Sequence, residues 1–107
     1  MGSLVIACYK PFPDKENEFM ALVREHVPTL RALGLATERK PIVMRASCGT
    51  VLEIFEWVSS EAAQKAHHMP EIGKLWERFG RVCEFKKPSD VGDLNRMFPH
   101  FDPIDFD

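Results

Sequence analysis

Residues 51–58 read VLEIFEWV, a β-branched and aromatic run interrupted only by Glu53 and Glu56, which predicts a strand. At Ser59 the period changes. Its hydroxyl suits the free amides of a helix start, Glu61 suits the first turn, and Ala62, Ala63, Ala66 and Met69 recur at helical spacing. Pro70 disfavours a helical Met69, so the helix is expected to break there. The same proline can open a second helix with the stripe Ile72, Leu75, Trp76 and Phe79, closed by Gly80. Upstream, residues 4–9 are apolar at every position, as in a strand buried on both faces. After Pro11 and Pro13, Asp14 is a predicted N-cap for a helix whose stripe is Phe19, Leu22, Val23, His26, Val27, Leu30 and Leu33. Pro28 should kink or divide it, and Gly34 should end it. Residues 36–39 and 42–46 predict a second strand interrupted at Pro41, at an edge or a bulge. Residues 47–50 predict a hairpin turn, and residues 81–87 a weaker fourth strand.

The order strand, helix, strand, strand, helix, strand predicts a ferredoxin-like α+β fold: a four-stranded antiparallel sheet with both helices on one face. This domain should span residues 1–87. Residues 88–107 are rich in Asp and Pro yet carry Phe98, Phe101, Ile104 and Phe106, so they predict a non-repetitive arm packed on the domain or on a partner. In the third strand Leu52, Ile54 and Val58 share one face, and Val51, Phe55 and Trp57 the other. Two helices cover one face only. The remaining apolar face predicts a homodimer formed sheet to sheet, with Phe55 and Trp57 in the interface.

Composition narrows this picture a little. A net charge of -2 with interspersed signs gives no footprint for nucleic acid or an anionic membrane surface. No apolar run reaches the length of a membrane span. Cys8, Cys48 and Cys83 are scattered and odd in number, which fits reduced thiols in a cytoplasmic protein and lacks the paired spacing of a zinc site. No phosphate-binding glycine motif and no nucleophile elbow is present.

The stretch FEWVSSEAAQKAHHMPEIGKLW resembles the antibiotic biosynthesis monooxygenase-like family of dimeric α/β barrels, through Glu56, Trp57, Ser59, Glu61, Ala62, His67 or His68, and Pro70. The resemblance implies a homodimer with a pocket between sheet and helices in each subunit. It also implies oxygenation of quinol-like aromatics without a bound metal or flavin. The first strand, LVIACYK, has no Asn, which sets the chain apart from the haem-degrading branch.

Candidate chemistry centres on the break between the two later helices. An imidazole there, with a pKa near neutrality, suits a general base on a phenol or quinol. His67 continues the face of Ala63 and is expected to point inward; His68, about 100° away, is the alternative. If the Leu52, Ile54 and Val58 face meets the helices, Glu56 approaches this break and acts as base or orienter; the competing reading is a salt bridge to Lys or Arg. Tyr9, Trp76 and Phe79 are the candidates for an aromatic substrate site, although aromatics at these spacings more often form core. A second functional reading stands beside the enzyme: a non-catalytic, ligand-binding or structural homodimer of the same fold.

Overall fold

The computed structural model describes residues 2–106. It is an α+β domain in which β1 (Ser3–Pro11), α1 (Glu16–Ala32), β2 (Ile42–Arg45), β3 (Val51–Trp57), α2 (Ser60–Ala66), α3 (Pro70–Val82) and β4 (Cys83–Lys86) follow one another. Two short 3-10 turns, Pro88–Asp90 and Gly92–Asn95, lead to β5 (Asp102–Pro103). The sheet is antiparallel throughout, with strand order β4-β1-β3-β2-β5. It therefore has five strands where the pattern predicts four. The fifth comes from the C-terminal arm, too short and too Pro-rich to register as a strand by period. Because β5 pairs with β2, the second strand is not an edge.

Ser59 caps α2 as expected, its Oγ accepting from the Ala62 amide at 3.1 Å. The break follows at His67 and His68, and α3 opens on Pro70. Gly80 does not close α3, which continues to Val82 before β4 begins; the positive-φ glycines are Gly34, ending α1, and Gly49, in the β2–β3 turn. Pro28 does not divide α1, which runs unbroken through it. The N-cap of α1 is Lys15 rather than Asp14, with no side-chain cap. Residues 36–39 form no strand of their own, apart from an isolated bridge between Ala36 and Trp57.

The side of the sheet that meets the helices is the one carrying Val51, Glu53, Phe55 and Trp57. Phe55 and Trp57 pack with Val27, Leu30, Ala66 and Ile72, while Val51 and Tyr9 pack with Phe19, Leu22, Leu75 and Phe79. The expectation that Phe55 and Trp57 lie in a subunit interface is thus corrected. A charge at Phe55 would strike the helix-facing core.

The opposite face is covered in part by the chain itself. Val91, Leu94 and Phe101 of the arm pack on Cys8, Met44, Ala46 and Leu52. Asp93 pins that segment by accepting from the Ser47 amide at 3.1 Å and the Ser47 hydroxyl at 2.9 Å, and these bonds hold its carboxyl below the usual range. Ile104 and Phe106, which follow β5, pack on the helix side of the sheet. Phe98, expected to help anchor the arm, is instead 78% exposed. Beyond the arm's reach Leu4 (62% exposed), Ile6 (49%) and Ile42 (58%) remain open on the sheet. Among the described residues no helix is long and apolar enough to cross a membrane.

Candidate functional site

Glu53 is the anomaly of this fold, a carboxylate in the middle of a central strand and 1% exposed. Strand alternation aims it at the helices, between Val51 and Phe55. One of its oxygens, Oε1, accepts from the Tyr9 hydroxyl at 2.8 Å. The same oxygen lies 2.9 Å from His26 Nδ1 on α1. On the far side of that ring, Trp76 Nε1 on α3 points at His26 Nε2, 3.4 Å away. An indole N–H only donates, so Nε2 accepts and the ring proton sits on Nδ1, donating to Glu53. Tyr9 is equally fixed as a donor: burial first, then the neighbouring Glu53, pushes its hydroxyl well above the usual tyrosine range.

Both donors converge on Oε1. The second oxygen, Oε2, is buried and has no hydrogen-bond partner among the described residues. An unsatisfied buried acceptor costs on the order of 1–3 kcal/mol, an outlay that calls for a ligand or a chemical role. Glu53 also lines a cavity of about 570 Å³, within the size range of small-molecule sites. The cavity lies between α1, the start of β2 and the C-terminal arm. Val23, Val27, Val43, Ile104 and Phe106 supply apolar wall, and Arg24, Arg31, Lys40 and Asp105 supply charge. Ile104 is fastened by its amide to the Val43 carbonyl at 2.8 Å. Arg24 donates to the Phe106 carbonyl at 3.0 Å.

The residues singled out from sequence fall differently. Glu56 is on the opposite face from the helices, so it does not approach His67 or His68. It accepts from Thr37 Oγ1 at 2.9 Å and pairs with Arg39 Nε at 3.1 Å. The Thr37 bond first, and Arg39 next, hold its carboxyl below the usual range. The competing salt-bridge reading is the geometry found. His67 and His68 are both exposed, and His67 does not point inward; its ring lies edge-on to Trp76, centroids 4.9 Å apart. Neither lines the cavity. His67 is the C-cap of α2, just past its last helical residue, Ala66, so the helical face of Ala63 ends before it. Tyr9, Trp76 and Phe79 do gather around one site, as supports behind Glu53 and His26 rather than as cavity wall. Tyr9 stacks on Phe79 at 5.2 Å, and Phe79 meets the His26 ring edge-to-face at 5.2 Å.

Two residues were missed from sequence: Glu53 as an inward carboxylate and His26 as its partner. The available signal was the pairing of a polar residue in each of two otherwise apolar faces. Among the described residues no three His, Cys, Asp or Glu side chains converge as a metal site requires. The sequence matches no protein-family model, and neither a curated protein nor a solved structure matches it.

The buried acids give a pH prediction. Burial pushes the Cys83 thiol from 9.0 up to about 11, and Cys8 and Tyr9 are also raised. The unfolded chain therefore loses these protons first, and stability falls as pH rises above the unfolded values. Melting temperature should decline from about pH 9 upward, with Cys83→Ala removing part of the slope between 9.0 and about 11. A melting temperature independent of pH across that window would contradict the burial of these groups.

Proposed function

We propose that this protein is a small enzyme that removes a proton from a quinol-type aromatic substrate and lets the resulting anion react with dioxygen, with Glu53 as the base. The observation that carries the reading is the divided carboxylate: Oε1 locked by Tyr9 and His26, Oε2 buried without a partner, on a residue that lines a small-molecule-sized cavity. A base held in one orientation by two donors on its other oxygen is preorganised for proton abstraction. The sequence resemblance to the antibiotic biosynthesis monooxygenase-like family and the strand order β4-β1-β3-β2, which is that of a ferredoxin-like fold, favour the same reading.

The chemistry balances without a further reductant. At an activated methylene carbon, Glu53 Oε2 takes one of the two protons and leaves the electron pair on carbon. Dioxygen accepts that pair, a C–O bond forms, and the hydroperoxide receives the proton back from Glu53. Loss of the second C–H proton with cleavage of the O–O bond turns the methylene into a ketone and releases water. Oxygen uptake with anthrone, whose methylene meets this requirement, tests this. Stoichiometric uptake that disappears in Glu53→Gln is expected. Binding without uptake by the wild type would leave a ligand-binding protein.

The assembly belongs to the same reading: a homodimer formed through the sheet face that the arm leaves open. Leu4, Ile6 and Ile42, with Ile54 between them in the pairing, form an apolar patch that water would not favour. Light scattering should give about twice the 12.3 kDa chain mass, and Ile6→Glu should return it to one chain mass with the fold intact. A wild type that stays at one chain mass at micromolar concentration would refute the dimer.

A further inference from the structure

The cavity that holds Glu53 also carries an excess of positive charge. Arg24, Arg31 and Lys40 all line it, with Asp105 the one other acidic lining residue. None of the ion pairs among the described residues uses any of the three cations. Arg31 is nonetheless fixed in place: its Nε donates to the Thr37 carbonyl at 2.8 Å and its Nη2 to the Arg39 carbonyl at 2.7 Å. Those acceptors are uncharged, so they orient the guanidinium without neutralising it. Arg24 is likewise directed to a carbonyl, that of Phe106, and lies 5.2 Å from the Phe106 ring centroid. Cations brought to one cavity repel one another, and a bound anion converts that repulsion into attraction. Between them the wall is apolar, through Val23, Val27 and Ile104.

An occupant matched to this surface has an apolar body and one anionic head. We propose that the substrate is an apolar, aromatic carboxylic acid, its carboxylate paired with Arg31 and Lys40 and its acidic hydrogen presented to Glu53. This substrate class rests on the reading of Glu53 as the base. The planar guanidinium of Arg31, with Nη1 left over from its carbonyl bonds, suits a carboxylate. Orientation follows from sign: the substrate's carboxylate is attracted to the cations and repelled by Glu53, so the uncharged end is the one that reaches the base.

A matched pair of probes tests the class on the full chain. Calorimetric titration at about pH 7, where a carboxylate is ionised, compares a hydroxynaphthoate with the naphthol that lacks the carboxylate. The hydroxynaphthoate should bind about tenfold or more tighter, with the advantage shrinking as salt rises. Arg31→Gln and Lys40→Gln should each cut that advantage severalfold. Lys40 is exposed, so its variant keeps the test decisive even where Arg31→Gln, which loses two loop bonds, folds poorly. Equal affinities, a preference for naphthol, a preference that survives both substitutions, or no binding of either probe would overturn the proposal. Glu53→Gln separates it from the catalytic reading. If that variant loses turnover but the wild type binds both probes equally, the base stands and the anionic class falls. If the wild type prefers hydroxynaphthoate and Glu53→Gln keeps full turnover, the base falls instead.

Discussion

Glu53→Gln is expected to lower turnover by about a hundred- to ten-thousand-fold, the range over which a positioned base contributes, while changing stability little. The amide keeps an oxygen to accept from Tyr9 and His26, which approach Oε1 at 2.8 Å and 2.9 Å, so the supports stay in place. What it loses is the proton-accepting capacity of the oxygen that has no partner. His67→Ala and His68→Ala are expected to leave turnover and folding nearly as they are, because both side chains are exposed and outside the cavity. Turnover measured together with urea unfolding separates the two effects. Wild-type turnover in Glu53→Gln would refute the role of Glu53. A collapse of turnover in His67→Ala with Glu53→Gln fully active would move the chemistry back to the helix break.

The largest stability loss is expected at Phe79. Its side chain is completely buried, stacked on Tyr9 at 17° between planes and edge-on to Phe19 at 6.2 Å and to His26. Truncation to alanine removes the ring that spaces β1, α1 and α3, and a buried Phe→Ala change costs about 3–5 kcal/mol. For a domain of this size that lowers the melting temperature by more than about 12 °C. The lost ring also frees the two donors that hold Glu53, so residual folded protein should turn over more slowly than wild type. Phe98→Ala, at a ring 78% exposed, is the control and should change stability by less than about 0.5 kcal/mol. Urea unfolding checks both; a loss below about 1 kcal/mol at Phe79 would contradict its place at the centre of the core.

Most elements of the fold were legible because local chemistry agreed with tertiary structure. Ser59 caps, Pro70 opens a helix, and Gly34 and Gly49 take positive φ where turns require it. The side of the sheet was not legible. Residues 51–58 and 4–9 are apolar on both faces, so alternation says which residues share a face but not which face meets the helices. That one ambiguity decided the site. With the faces exchanged Glu56 points inward; in the structure Glu53 does, and Glu56 rests against Thr37 and Arg39. His26 was hidden for a related reason, since a histidine within an apolar helical stripe reads as core until a carboxylate is known to face it. The arm was legible as apolar and packed, but its division between the two faces depends on the short pairing of Asp102–Pro103 with β2, which leaves no periodic trace.

Proton abstraction by Glu53 is most directly tested without oxygen. Anthrone carries methylene hydrogens made acidic by the aromatic anion their loss creates, and proton NMR in deuterium oxide follows their exchange under anaerobic conditions. Wild-type protein should accelerate that exchange above buffer, and Glu53→Gln should return it to the buffer rate with the probe still bound. Exchange at equal rates in the two proteins would contradict a catalytic carboxylate at this site.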